Sequence, residues 1–223
     1  MAKLILIEGT DCSGKETQAK KAVEKLNSEG IKSIYFSFPN YSSPTGKIVG
    51  GPYLGKTAIG ECVFPEGAAN VSAEVSSLYF AADRKYNIEK VKEYLNNGFN
   101  VFLDRYVVSN MAHQGGKIED EVERKKMYNW LEDLEYGLLE LPRPDFTIFL
   151  HMPYKYSLIL KSGREEAPDE LEKSETHLIN AEKAYLELSE LYGFDVIECV
   201  KDGNIRSIDD INDELVLKLK RKI

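Results

Sequence analysis

Cysteine is scarce in this sequence of 223 residues, and long apolar runs are absent. Its three cysteines are odd in number and far apart, which argues against a disulfide framework and predicts reduced thiols in a cytoplasmic protein. No apolar run approaches the length of a transmembrane helix or of a signal-peptide core. Basic residues are also outnumbered, with 29 Lys and Arg against 37 Asp and Glu and a net charge of −8. The sequence therefore predicts neither nucleic acid nor a membrane as a partner.

Short apolar runs alternate with amphipathic stretches along the whole chain. The apolar runs predict strands at 4–7, 31–36, 101–103, 146–150 and 194–197. The amphipathic stretches predict helices at 15–28, 72–96, 118–140, 176–192 and 207–222. This order predicts an α/β fold, a five-stranded parallel sheet with helices on both faces, in a single domain over residues 1–223.

Two connections interrupt this alternation. The first, 37–73, is rich in Gly, Pro, Ser and Asn, and a connection of that length inside a compact domain is usually functional. The second, 161–175, is highly charged and has no apolar face. It can be a solvated loop, a mobile lid or both, and we expect a small lid over about 155–176.

A glycine-rich segment with the pattern G-x-x-x-x-G-K joins the first predicted strand to the first predicted helix. Its glycines let successive backbone N–H groups turn toward an anion, and the helix N-terminus adds its dipole. The lysine can reach the β- and γ-phosphates of a nucleotide. The alternative is a glycine-rich turn with a chance lysine. The predicted phosphate site consists of Gly9, Cys12, Ser13, Gly14, Lys15, Glu16 and Thr17.

Five segments together resemble the thymidylate kinases, a family of P-loop nucleoside monophosphate kinases. Residues 14–18 are similar to the family's G-K-x-T-Q, and residues 7–11 to the E-G-x-D that opens its phosphate loop. Residues 78–84 resemble L-x-F-A-A-D-R, and residues 104–114 resemble D-R-Y-x-x-S-x-x-A-Y-Q. Residues 184–188 match the Y-L-x-L that follows the lid. The resemblance implies a P-loop kinase fold over nearly the whole chain.

The activity implied by the resemblance is transfer of the γ-phosphoryl group of ATP to dTMP, giving ADP and dTDP for dTTP synthesis. Catalysis of this kind depends on alignment and charge neutralisation. Lys15 would neutralise ATP phosphate oxygens, Arg105 would clamp phosphate between donor and acceptor, and Arg164 would close from the lid. Asp104 would orient Mg²⁺ through water or accept a hydrogen bond near the acceptor phosphate. The alternatives are a surface salt bridge for Arg105 and a helix cap for Asp104.

The resemblance also implies a binding site for dTMP. Asp11 would accept a hydrogen bond from the 3′-hydroxyl, Phe80 would stack on thymine, and Arg84 would donate to its O4. Asn110 and Gln114 lie four residues apart and could contact the edge of the base. Capping of the loop by Asp11 and burial of Phe80 in the core are the alternatives. The predicted site comprises Asp11, Phe38, Tyr41, Phe80, Arg84, Arg105, Asn110, His113 and Gln114.

Several residues depart from the family's pattern. Tyr41 stands where many members have an arginine for the dTMP phosphate, so Arg105 or Lys47 would carry more of that charge. Glu16 replaces a residue that is often Ser or Thr in P-loops, and Cys12 replaces an arginine found in one class of the family. His113 replaces Tyr or Phe, and we interpret it as a bulky wall.

These departures keep two other functions open. One is a kinase for another nucleoside monophosphate or a deoxynucleoside, and the other is a nucleotide-binding regulator without catalysis. Asp83 is interpreted as the partner in a helix-surface ion pair. The family resemblance also implies a homodimer.

Overall fold

A parallel sheet forms the centre of the computed structural model, which describes residues 2–161 and 167–223. Its strands are β1 (Leu4–Gly9), β2 (Ser33–Ser37), β3 (Asn100–Asp104), β4 (Phe146–His151) and β5 (Asp195–Glu198). They lie in the order β2-β3-β1-β4-β5, and every pairing is parallel. The predicted five-stranded parallel sheet is confirmed. Two short strands, β6 (Val200–Lys201) and β7 (Asn204–Ile205), form a separate antiparallel hairpin.

Eight α-helices are found in the described residues. They are α1 (Lys15–Ser28), α2 (Pro44–Ile48), α3 (Ala73–Asn96), α4 (Val107–Gly115), α5 (Glu121–Glu132), α6 (Tyr154–Lys161), α7 (Glu175–Tyr192) and α8 (Ile208–Lys220). Two π-helical turns, Val49–Tyr53 and Asp133–Leu138, extend α2 and α5. No helix among the described residues combines the length and the apolar character that crossing a membrane requires.

The period of two along β1 divides its side chains between two cores. Leu4 and Leu6 pack on one face with apolar residues of α3, α4, α5 and α7. Ile5 and Ile7 pack on the other face with residues of α1 and α8. All four side chains are at most 2% exposed, and burial of each contributes about 2 kcal/mol. Helices therefore cover both faces, and the polar ends of the strands are left to form a site.

The structure differs from the sequence prediction mainly in the connections. The segment predicted to be irregular, 37–73, contains α2 and a π-helical turn, and the predicted helix 118–140 is α only over Glu121–Glu132. Helix α4 had no predicted counterpart. All nine of its residues are buried, four of them polar, so it lacks the apolar periodicity by which helices are predicted.

Candidate active site

A cavity of about 660 Å³ opens at the carboxyl ends of the central strands. In open parallel sheets this edge is where ligands bind. The phosphate loop lines the cavity together with side chains from α3 and α4 and with residues 169, 171 and 172, which belong to the predicted lid segment. The predicted phosphate site and the predicted acceptor site are thus parts of the same cavity.

The backbone of the phosphate loop leaves no room for a side chain at Gly9 and has left-handed dihedral angles at Cys12 and Gly14. A Cβ added to Gly9 would lie 2.3 Å from Ser13 Oγ and 3.0 Å from the carbonyl oxygen of Leu150. Gly14, directly before α1, has φ +75°, and Cys12 adopts φ +60° although it is not glycine. The Ser13 hydroxyl is buried and has no hydrogen-bond partner among the described residues. The loop therefore turns tightly and keeps a polar group beside the anion site.

Thr10 fixes this loop to the neighbouring strand. Its hydroxyl donates to the carbonyl oxygen of Met152 at 2.7 Å and accepts from the Met152 N–H at 3.0 Å. Because Met152 directly follows β4, the loop is attached to both central strands.

Lys15 and Glu16, adjacent residues of opposite charge, have different surroundings. Lys15 lines the cavity, and burial and the nearby Arg105 lower the pKa of its ammonium group. Glu16 is 63% exposed at its side chain and pairs with Lys20 one turn later at 2.6 Å. Lys20 therefore offsets part of the charge of Glu16, a residue that also lines the cavity.

Arg105 connects the phosphate loop to α4. Its Nη2 donates to Asp11 Oδ1 at 2.5 Å, and its Nη1 lies 3.1 Å from His113 Nε2. Burial alone would raise the pKa of the Asp11 carboxyl, but Arg105 and Lys15 hold it well below its ordinary value of 3.8. Arg105 also has φ +64°, a left-handed backbone conformation that is uncommon for residues other than glycine. The pair joins two residues that were predicted to bind different parts of the nucleotides.

Asp104 keeps one carboxylate oxygen unpaired. The Tyr35 hydroxyl donates to its Oδ2 at 2.8 Å, whereas Oδ1 is buried without a partner among the described residues. Asp104 does not cap α4. That role belongs to Glu8, whose Oε1 accepts from the N–H groups of Tyr106 and Ser109, each at 3.0 Å. Asp104 is therefore available as an oxygen ligand.

Glu8 is a buried carboxylate that organises the start of α4. Besides the two backbone groups, it accepts from the Ser109 hydroxyl at 2.8 Å and from the Tyr185 hydroxyl at 2.9 Å. Burial raises the pKa of this carboxyl despite these donors. The network links β1, α4 and α7. It thereby holds α4, which carries Asn110 and Gln114, the residues predicted to contact the edge of the base.

Two residues of the predicted acceptor site, Arg84 and Asn110, are oriented by Glu135, which the sequence analysis missed. Glu135 is fully buried and forms a bidentate pair with Arg84, including Arg84 Nη2 to Oε1 at 2.7 Å. The Asn110 amide nitrogen donates to Glu135 Oε1 at 3.0 Å and to the Ser77 carbonyl at 3.2 Å. Both neighbours can only accept, so Asn110 Oδ1 must point away from them. That oxygen and both amide atoms of Gln114 have no partner among the described residues.

Aromatic side chains form another part of the cavity wall. Phe80 lines the cavity and meets Tyr53 edge-on, with ring centroids 5.5 Å apart. Phe38 also lines it and packs against Tyr106 at 5.7 Å. Phe80 is half-buried, and Phe38 is 2% exposed. A planar ring entering the cavity would therefore meet a rigid aromatic wall.

The connection after β2 contributes a lysine that was not predicted. Lys47 is exposed and does not line the cavity, whereas Lys56 does. The Lys56 ammonium lies 5.5 Å above the Tyr41 ring and 3.6 Å from Asp169 Oδ2. Lys56 belongs to none of the family motifs, so the sequence held no signal for it.

The interpretation of Asp83 as a surface ion-pair partner is wrong, because Asp83 is only 1% exposed. Its carboxylate accepts from the Asn40 N–H at 2.8 Å, from the Thr45 hydroxyl at 2.7 Å and from the Asn87 amide at 2.9 Å. These bonds tie α3 to the chain around Tyr41. Asp83 thus holds the chain around Tyr41, which lines the cavity, against α3.

The structure brings most of the predicted site residues together. Lining the cavity are Asp11, Cys12, Gly14, Lys15, Glu16, Thr17, Phe38, Tyr41, Phe80, Arg84, Asp104, Arg105, Asn110, His113 and Gln114. Gly9 and Ser13 lie directly behind them in the loop. Arg164, the predicted lid residue, lies outside the described residues. Among the described residues, no cluster of three His, Cys, Asp or Glu side chains is arranged to hold a metal by itself.

A strand, a G-x-x-x-x-G-K loop and a helix at the carboxyl edge of a five-stranded parallel sheet define a P-loop nucleotide-binding protein. Residues 7–207 match the family model described as thymidylate kinase. The chain is 29% identical over 214 residues to the thymidylate kinase of Schizosaccharomyces pombe, covering 96% of this chain and 90% of that protein. It is 30% identical over 226 residues to a probable thymidylate kinase of Thermococcus gammatolerans, covering 100% and 98%.

A solved structure shows the same similarity in three dimensions. The thymidylate kinase of Candida albicans aligns with a TM-score of 0.73 and 26% identity, covering 99% of this chain and 92% of that one. The chain belongs to the thymidylate kinase family.

Proposed function

We propose that the cavity transfers the γ-phosphoryl group of ATP to dTMP, giving ADP and dTDP. The observation that carries this proposal is the position of Arg105, bonded to the phosphate loop through Asp11 and to α4 through His113 in one cavity. A guanidinium there can contact phosphate oxygens of donor and acceptor together. Membership of the thymidylate kinase family supports the same reaction.

The fixed amide of Asn110 supports a thymine acceptor. Its nitrogen is used by Glu135 and Ser77, so the remaining group is a hydrogen-bond acceptor. Thymine and uracil carry a donor at N3, whereas cytosine carries an acceptor there. An acceptor left unpaired at that point would disfavour cytosine, because buried unpaired polar groups are costly.

Magnesium fits the site through one carboxylate. Mg²⁺ usually keeps several waters and binds one or two carboxylates together with substrate phosphates. The unpartnered Oδ1 of Asp104 is an oxygen ligand of this kind. When bound, Mg²⁺ neutralises developing charge on the phosphates, while Lys15 and Arg105 hold their oxygens.

The exposed face of α3 supports a homodimer. Val75, Leu78 and Tyr86 recur on one side of this helix, and each is at least 42% exposed. An apolar stripe on a long helix is a suitable isologous interface, because a two-fold axis can pack it against its own copy.

The test is an assay of ADP formation with dTMP, dUMP, dCMP, AMP and thymidine as acceptors. We expect dTMP to give the highest kcat/KM, and label from [γ-³²P]ATP to appear in dTDP. A rate with AMP equal to that with dTMP would contradict the acceptor assignment. Binding of both nucleotides without label in dTDP would instead identify a regulator.

A further inference from the structure

Two buried histidines continue from Arg105 into the protein, on the side away from Asp11. His113 Nε2 lies 3.1 Å from Arg105 Nη1, and His113 Nδ1 lies 3.0 Å from His177 Nε2. The planes of the two imidazole rings are inclined by 23° and their centroids are 5.2 Å apart, so the nitrogens meet edge to edge, as an N–H···N hydrogen bond requires. His113 is 8% exposed and His177 is 5% exposed. The motifs of the family contain neither histidine.

Chemistry allows only one direction for these hydrogen bonds. A guanidinium can donate and cannot accept, so His113 Nε2 must be the unprotonated acceptor. The proton of His113 is then on Nδ1, from which it donates to His177 Nε2. The proton of His177 is consequently on its own Nδ1. Both rings are neutral in this pattern, because a proton added to either acceptor nitrogen would break a bond of the chain.

The surroundings keep both rings neutral. Burial lowers the pKa of His113 well below its ordinary 6.5, with Arg105, Lys15 and His177 adding to the effect and Asp11 opposing it. Burial and the nearby Lys117 lower the pKa of His177 to about 4, again against Asp11. The hydrogen bonds require two neutral rings, and the surroundings of the rings favour the same neutral state at neutral pH.

The two helices that carry these rings are held close together. Ser174 caps α7 by accepting from the His177 N–H at 3.3 Å, which fixes His177 in the first turn. A Cβ added to Gly116, just after α4, would lie 3.0 Å from the Ala181 nitrogen of α7. A residue larger than glycine at position 116 would therefore displace one of the two helices. His177 is thus a firm anchor, and it does not line the cavity.

We propose that His113 and His177 are positioning residues that fix the guanidinium plane of Arg105 for phosphoryl transfer. Asp11 holds one end of the guanidinium and the imidazole chain holds the other. Two of the five N–H groups are used in this way, and the other three have no partner among the described residues, which leaves them for phosphate oxygens. His177 acts only through His113, at a distance from the nucleotides. This proposal rests on the proposed function for its kinetic test, but not for its spectroscopic one.

The kinetic test compares His177→Leu, which removes the acceptor, with His177→Gln, which keeps one. We expect His177→Leu to lower kcat about tenfold while KM for dTMP changes less than threefold, since misplacing a catalytic group affects the reacting complex most. His177→Gln should stay within threefold of the wild type. Ser189→Ala, a buried polar substitution on the same helix, is the matched control and should leave kcat unchanged.

A double-mutant cycle separates positioning from a general structural role. In the Arg105→Ala background there is no guanidinium to position, so His177→Leu should have no further effect on kcat. An equal fold-loss in both backgrounds would overturn the proposal, as would an unchanged kcat in His177→Leu alone.

The spectroscopic test uses the wild-type protein and so does not depend on any variant folding. Histidine side-chain ¹⁵N NMR at pH 7 should show His113 and His177 neutral and protonated at Nδ1. A cationic ring, or a proton at Nε2 of either residue, would overturn the proposal. If the wild type phosphorylated no dTMP, the proposed function would fail, and these spectra would still decide the arrangement of the chain.

Discussion

Arg105 is already held in place by protein groups at both ends of its guanidinium. Its partners Asp11 and His113 are themselves largely buried, so the guanidinium is already ordered and a phosphate bound there would cost it little further freedom. We expect Arg105→Ala to lower kcat at least about a hundredfold, the scale for loss of a transition-state cation. Steady-state kinetics with dTMP measure this. Arg143→Ala, which removes an exposed pair with Glu132, is the control. A normal rate in Arg105→Ala would remove Arg105 from the mechanism.

Lys56 provides positive charge near Tyr41, where many relatives would have an arginine. Its ammonium is close to both the Tyr41 ring and Asp169, so it stays beside the cavity. We expect Lys56→Ala to raise KM for dTMP about fivefold or more with a smaller change in kcat, as loss of one partly screened phosphate contact would do. Lys47→Ala changes an exposed lysine of the same connection and should leave KM unchanged. Equal effects of the two substitutions would contradict this role.

At the scale of elements, His151 joins two strands and a helix. Its Nε2 lies 3.0 Å from Glu182 Oε1 on α7, and its Nδ1 lies 2.8 Å from Glu198 Oε2 on β5. The hydrogen bond with Glu182, followed by that with Glu198, raises the pKa of His151 above 6.5. The folded state therefore binds this proton more tightly than the unfolded state. Its contribution to stability is complete below pH 6.5 and is lost as pH rises through the raised pKa.

We predict that His151→Gln is less stable than the wild type by roughly 1 kcal/mol below pH 6.5, the size of a partly exposed ion pair. The difference in free energy of unfolding should shrink as pH rises toward 9. Urea unfolding at several pH values measures it. A difference that grows with pH would show that the charged form is not the stabilising one.

The elements also show how much of the molecule could be predicted from sequence. The strands follow from apolar runs such as Leu4 to Ile7, and the phosphate loop follows from its glycines. Helix α4 did not follow, because buried Ser109, Asn110, His113 and Gln114 interrupt any apolar period. All four side chains line the cavity. A helix that contributes polar side chains to the candidate site was therefore the one that the apolar pattern did not predict.

For the molecule as a whole, the net charge is −8, yet several cations converge in the cavity. The sequence predicted Lys15, Arg84 and Arg105 among these cations, but it predicted neither Lys56 nor the partners of the arginines. Arg84 is paired with Glu135, and Arg105 with Asp11, across 51 and 94 residues of sequence. Such pairs depend on tertiary contacts between α3, the turn after α5 and the strand ends, which no local pattern encodes. They also let an acidic protein keep Arg84 buried and Arg105 partly buried without an uncompensated charge.

The homodimer can be tested on the exposed face of α3. Leu78 is 50% exposed there, and Leu217 on α8 is 54% exposed, so the two leucines are matched in type and exposure. Because a two-fold axis would place two copies of the α3 stripe against each other, Leu78→Glu would bring two like charges into an apolar contact. We expect sedimentation velocity to show a dimer for the wild type and for Leu217→Glu, and a monomer for Leu78→Glu. Dissociation by Leu217→Glu instead would place the interface at α8, and a wild-type monomer would exclude the dimer itself.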